Sequence, residues 1–225
     1  MNNSNKYFIK DNPPTTRIRY NVKMIVATLK SIYYKFYSLF INQEIPQKKY
    51  NVSICAIFKN EANYLKEWIE FNHLVGVDHF YLYNNNSDDN YLEIIKPYVE
   101  NGLVTLIQWP YNQQQMQCYM SCVKEFSSET KWLGFIDIDE FIVPKTTNSI
   151  YDFLKPFEKK AGSVNIYWRL FGTSGIINRK LDGLVCEDFI VCWPKHCDIG
   201  KCFYNTAFGF DFESKYAKQL HHKFW

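Results

Sequence analysis

From Asn51 onward, short apolar runs alternate with stretches of helical periodicity. Val52–Phe58 is an almost unbroken apolar run, as in a strand covered on both faces. Lys59-Asn60-Glu61 follows, and then Leu65, Trp68, Phe71 and Val75 recur at helical spacing, with Gly76 as the stop. Phe80–Tyr83 reads as a second strand, closed by the polar turn residues 84–89, and Tyr91–Val99 suits a short helix. Leu103–Trp109 is the third strand, residues 112–128 the second long helix, and Trp132–Ile136 the fourth strand. Repeated β-α-β units with short connections predict an α/β fold with an open, mainly parallel sheet flanked by helices. Ligands of such sheets bind beyond the carboxyl ends of the strands. Those ends are polar in this chain: Lys59-Asn60-Glu61, Asn84 to Asp89, and Asp137-Ile138-Asp139-Glu140.

The flanks are less regular. Residues 20–41 carry Met24, Ile25, Val26, Leu29, Ile32, Tyr33, Phe36, Leu39 and Phe40 on one stripe, with Lys23, Lys30 and Lys35 mostly opposite. The pattern predicts an N-terminal amphipathic helix, too often interrupted by lysine to span a membrane. Two readings stay open: peripheral contact with an anionic membrane surface, or packing on the domain or a second copy of it. Residues 1–50 form a basic segment apart from a domain over 51–225. After Pro144, Ile150–Phe157 suits a short helix and Ser163–Leu170 a strand. Leu184–Val191 places Glu187 and Asp188 among apolar neighbours.

The carboxylates after the fourth strand carry the chemistry. On an extended chain Asp137 and Asp139 share a face, opposite Ile138. Carboxylates at the end of a buried strand are costly without a compensating cation. Oxygen ligands of this kind suit Mg²⁺ or Mn²⁺, which take one or two protein carboxylates and complete their shell with substrate phosphates. Charge excludes one class of partner. Residues 1–50 hold nine Lys and Arg against two Asp and Glu, and the rest hold 17 against 21. The domain itself is acidic, so nucleic acid is not the expected partner. Seven cysteines show no disulfide spacing and follow no signal peptide, which points to reduced thiols and a cytoplasmic setting, with peripheral contact at the inner face of the membrane if the helix binds there. Cys186, Cys192, Cys197 and Cys202 near His196 lack the C-x₂-C spacing of a zinc site.

Taken together, several stretches resemble the family-92 glycosyltransferases and, more broadly, the GT-A class of nucleotide-sugar transferases. They are Ile57-Phe58-Lys59-Asn60-Glu61, Tyr64-Leu65-Lys66-Glu67-Trp68, His73 to Phe80, Tyr83 to Asp89, Asp137-Ile138-Asp139-Glu140-Phe141, Trp168 to Gly175, Asp182 to Val185 before Glu187, and His221-His222. The resemblance implies a Rossmann-like GT-A sheet and transfer of a sugar from a nucleotide donor, usually a UDP-sugar, to a glycan or glycoconjugate acceptor with inversion. It implies Mn²⁺ or Mg²⁺ at Asp137 and Asp139, with His222 as a third ligand and His221 close behind. Donor-nucleotide contacts would come from Lys59, Asn60, Glu61, Asn84, Asp89 and Asp137. Members usually continue beyond the His pair to a further His-containing segment.

An inverting transfer needs a base for the acceptor hydroxyl, and Glu187 is the candidate, with Asp188 in reserve. The same residues allow plainer roles. Glu187 can be an exposed strand carboxylate or an ion-pair partner, His221-His222 a surface pair, and Asn84 to Asn86 turn formers. Two other functions use the same carboxylates or fold: a metal-dependent nucleotidyltransferase or phosphohydrolase, and an inactive GT-A-like binding or scaffold protein.

Overall fold

The computed structural model describes residues 22, 25–26, 28–29, 32–33, 36, 39–179, 183–194, 197 and 199–213. The chain divides between Asn42 and Gln43 into two units. In the first, the described residues from 22 to 36 are helical, and Val22, Ile25, Val26, Leu29, Ile32, Tyr33 and Phe36 are exposed. Lys23, Lys30 and Lys35 lie outside the described residues. Among those that are described, no helix is long and apolar enough to cross a membrane.

The second unit is built on one six-stranded sheet of order β3-β2-β1-β4-β6-β5. Its strands are β1 (Tyr50–Phe58), β2 (His79–Asn84), β3 (Val104–Gln108), β4 (Thr130–Phe135), β5 (Ser163–Tyr167) and β6 (Gly200–Asn205). The helices are α1 (Ala62–Leu74), α2 (Tyr91–Glu100), α3 (Gln115–Phe126), α4 (Ile150–Leu154, continued by a 3₁₀ turn over Lys155–Phe157) and the single turn α5 (Val185–Asp188). The four expected strands are neighbours, and all three of their pairings are parallel. β6 then adds antiparallel to β4, and β5 antiparallel to β6, so the sheet is mixed. β6 had no counterpart in the sequence reading. Glu187 lies on the single turn α5, not on a strand as its plainer reading had it.

Alternation along β1 divides the core into two layers. Val52, Ile54, Ala56 and Phe58 pack with Leu65, Trp68 and Ile69 of α1 and with Ile95 of α2. Cys55 belongs to the opposite layer, with Tyr81, Tyr83, Leu133 and Phe135 against Cys118, Tyr119 and Cys122 of α3. The chain runs outward from β1 through β2 to β3, then crosses back to place β4 on the other side of β1. That reversal opens a crevice between the carboxyl ends of β1 and β4, where an open α/β sheet takes its ligands.

Two glycines let β6 close on its neighbours. At Gly134 a side chain would meet the Phe203 ring at 2.5 Å, and at Gly200 a Cβ would lie 1.9 Å from the Ile166 carbonyl oxygen. Backbone cannot give way there as a side-chain tip can. Gly200→Ala should therefore lower stability by about 1–3 kcal/mol, the usual cost of overpacking. Gly209→Ala, which meets nothing within 4 Å, should stay within about 0.5 kcal/mol. Urea midpoints of the two variants against the parent chain check both.

Candidate active site

The turn after β4 is held from α1. The Trp68 indole N–H donates to the backbone oxygens of both Asp137 and Glu140, each at 2.9 Å. One turn further along, Asn72 is buried, and its Oδ1 accepts from Ile142 N at 3.3 Å. Within the turn Glu140 N donates to the Asp137 carbonyl at 3.1 Å, and Glu140 Oε2 accepts from Asp137 N at 3.2 Å. The carboxylates therefore stand on a shaped backbone.

Their side chains have different surroundings. Asp137 Oδ1 accepts from Gln115 Nε2 and from the Tyr119 hydroxyl, both at 3.2 Å. Its Oδ2 lies 2.5 Å from Lys201 Nζ, which is also 3.2 Å from Glu140 Oε2. Asp139 is exposed. Glu140 is pushed up to about 7, because burial outweighs the attraction of Lys201. A carboxylate so near an ammonium would ordinarily titrate low, so desolvation is the stronger effect here. Glu61, at the start of α1, is also pushed up to about 7, first by burial and then by the charges of Asp139, Asp137 and Asp89.

Beside this turn lies a cleft of about 310 Å³, lined by Lys59, Glu61, Asn85 and Gln113 to Gln115, with Ile57 and Phe58 behind them. Gln115 joins cleft and carboxylates, since it lines the first and bonds Asp137. Lys59 is exposed there and supplies a positive charge. The other candidates from the first two strand ends mainly build the wall. Asn84 is buried, donates to the Tyr91 hydroxyl and to Gln108 Oε1, and accepts from Ser87 N. Asn60 has a positive φ of 58°, and its Oδ1 accepts from Asp88 N at 2.9 Å. Asp89 caps α1 from the neighbouring loop: its Oδ2 accepts from Ala62 N at 2.9 Å, where Glu61 makes no side-chain cap. Such a cap contributes about 1 kcal/mol.

Glu187 and Asp188 sit together on α5. The first two amides of that turn, Val185 N and Cys186 N, donate to the Glu67 carboxylate of α1 at 2.7 and 2.9 Å. Asp188 is bonded to Arg179 Nε at 2.7 Å, so it is the ion-pair partner of the two. Glu187 is exposed rather than set among apolar side chains. A one-turn helix can bury only one side, and this one is fastened through its N-terminal amides. Asp182, His221 and His222 lie outside the described residues.

Comparison with known proteins decides the family. The family model for glycosyltransferase family 92 matches residues 48–182, which includes the first four strands, the cleft and the carboxylate turn. The chain belongs to glycosyltransferase family 92. A family-92 protein of rice (Oryza sativa subsp. japonica) is 30% identical over 137 residues, covering 60% of this chain and 24% of that protein. A beta-1,4-galactosyltransferase of Caenorhabditis elegans is 31% identical over 146 residues, covering 55% of this chain and 33% of that protein. The chain thus spans about a quarter to a third of the length of these relatives. Among solved structures, residues 1–349 of S. aureus TarS match with a TM-score of 0.48 at 15% identity, over 76% of this chain and 53% of that one.

The family-92 resemblance implies a divalent cation, and the donor set can be tested against it. Four carboxylates, Glu61, Asp89, Asp137 and Asp139, interact at one end of the sheet. That concentration of negative charge, with the exposed oxygens of Asp139, suits a hard cation. Asp137 is shared with Lys201. Among the described residues no three His, Cys, Asp or Glu side chains are arranged to hold a metal. A cation that draws most of its ligands from substrate phosphates and water needs no such cage.

Sequence reasoning missed Lys201 and Gln113 to Gln115. A lysine directly before the apolar run Cys202–Tyr204, and three consecutive glutamines at a helix start, were the available signals.

Raising Glu61 to about 7 from its ordinary 4.5 has a consequence for stability. The folded state disfavours the charged form, so it loses stability as the pH rises from about 4.5 to 7. Metal-free Glu61→Gln should therefore melt higher than the parent chain at pH 8, and the difference should vanish by pH 4. Thermal melts across that range in EDTA check it.

Proposed function

We propose that this domain transfers a glycosyl group from a nucleotide-sugar, a UDP-sugar first among them, to a hydroxyl of a glycan or glycoconjugate, with inversion. The observation that carries the reading is the meeting of the carboxylate turn and the cleft at the reversal of strand order, in a chain of glycosyltransferase family 92. The relative in C. elegans makes a galactosyl donor the first to try.

In this reading the chain's own groups divide the work. Lys59 and the amides of Gln113 to Gln115 face the diphosphate, and Asp137 accepts a hydroxyl of the nucleoside. Asp139 holds Mn²⁺ or Mg²⁺ jointly with the diphosphate, and His222 is a further candidate ligand. The cation supplies charge stabilisation for the nucleoside diphosphate as it leaves. Asp139→Asn keeps the shape of the side chain and removes its charge. It should abolish Mn²⁺-dependent UDP binding, followed by calorimetry, while the far-ultraviolet circular dichroism stays unchanged. Equal Mn²⁺-dependent affinity in both proteins would remove Asp139 from the metal site.

The acceptor's proton goes to Glu187 in this scheme. Its exposure leaves it open to an incoming hydroxyl, whereas Asp188 is committed to Arg179. The turn that bears it is fastened to Glu67 of α1, six residues or about 9 Å of helix beyond Glu61 at the cleft. Glu187→Gln should retain UDP affinity and lose roughly 10²–10⁴ in transfer rate, the usual contribution of a general base. UDP release in the presence of acceptor measures this, and near-normal turnover would exclude the role. Release of free phosphate or pyrophosphate instead of UDP would place the chain among phosphohydrolases or nucleotidyltransferases.

A further inference from the structure

We infer that Lys201 is a positioning residue of the donor site, whose ammonium group fixes the Asp137 carboxylate in the orientation that receives the nucleotide. The inference rests on the donor-site reading above and assigns a role to a residue 64 positions away from that carboxylate.

Lys201 comes from β6, which lies antiparallel beside β4. Its side chain is only 4% exposed. Nζ stands 2.5 Å from Asp137 Oδ2 and 3.2 Å from Glu140 Oε2, and 5.5 Å from the centre of the Trp168 ring. The other oxygen of Asp137 is engaged by Gln115 and Tyr119. Rotating the carboxylate would thus exchange an ammonium partner for an amide and a phenol on one side, and the reverse on the other. The group is held about its last torsion from two elements, α3 and β6.

Stability alone does not explain such an arrangement. Taking the Lys201 charge out of water is costly, and a buried ion pair is often no more stable than well-packed apolar side chains of the same volume. Here the carboxylate is bonded to Gln115, which lines the cleft. A fixed cation at that place holds a carboxylate in one orientation. A fixed orientation matters for receiving a hydroxyl and is not needed to fill a core. The ammonium also stands over the face of the Trp168 ring, whose electron-rich surface attracts the charge.

The test is UDP affinity in Mn²⁺, by calorimetry on the full chain, for the parent, Lys201→Met and Lys201→Arg. Methionine keeps the length and removes the charge, whereas arginine keeps the charge. The expected result is a loss of roughly tenfold in Lys201→Met, the size of a contact coupling, with Lys201→Arg recovering most of it. A Lys201→Met protein that binds as the parent does overturns the inference, as does an equal loss in both variants. If Lys201→Met does not fold, Asp137→Asn is compared with Asp137→Asn/Lys201→Met, in which both charges are gone. Equal affinities support the inference, because Lys201 then acts only through Asp137, and a further loss in the double variant overturns it. Absence of UDP binding by the parent chain in Mn²⁺ overturns the donor-site reading itself, and this inference with it.

Discussion

The constraint on which the site depends is the presence of charge at the end of a buried strand. β4 is buried from Trp132 to Phe135, and the chain then delivers Asp137 and Glu140 while still against the core. Carboxylates in that position require compensation. The fold supplies it from β6, by a lysine that could not be buried alone. Each side of the cluster makes the other tolerable, which ties the antiparallel extension of the sheet to the parallel half. The close approaches at Gly134 and Gly200 have the same consequence. β6 has to lie tight on both neighbours for the ammonium to reach the turn.

Compensation is incomplete toward solvent. Glu61 keeps a raised affinity for its proton because burial disfavours its charged form, and Asp139, Asp137 and Asp89 add to the effect. Negative charge thus gathers where the carboxylate turn meets the cleft, and Lys59 stands exposed at the same cleft.

The polar strand ends are linked by hydrogen bonds into a single wall. Asp89 caps α1, Asn84 joins β2 to β3 and α2, and the backbones of Asn60 and Asp88 are tied through side chains of the opposite loop. Residues expected to touch a nucleotide directly are in part the residues that shape its surroundings. The distinction follows from valence. Asp89 spends one oxygen on Ala62 N and the other on Tyr91 N, and Asn84 is buried with both ends of its amide bonded.

Much of this was legible along the chain. The apolar runs at β1 to β4 and the helical spacing of Leu65, Trp68 and Phe71 are local signals, because period and burial act within a few residues. They determine the parallel half of the sheet, and polarity at the strand ends then marks where a ligand goes. What the tertiary structure alone decided is how those polar groups are used. Lys201 meets Asp137 across 64 residues, Asp89 caps a helix that begins 27 residues earlier, and Glu67 fastens a turn 118 residues away. Glu187 and Asp188 look equivalent in sequence, yet one is exposed and the other is paired with Arg179. Hydrogen bonds and ion pairs act over about 3 Å of space regardless of separation along the chain. A sequence therefore shows which groups must find partners, and only the folded chain shows which partners they find.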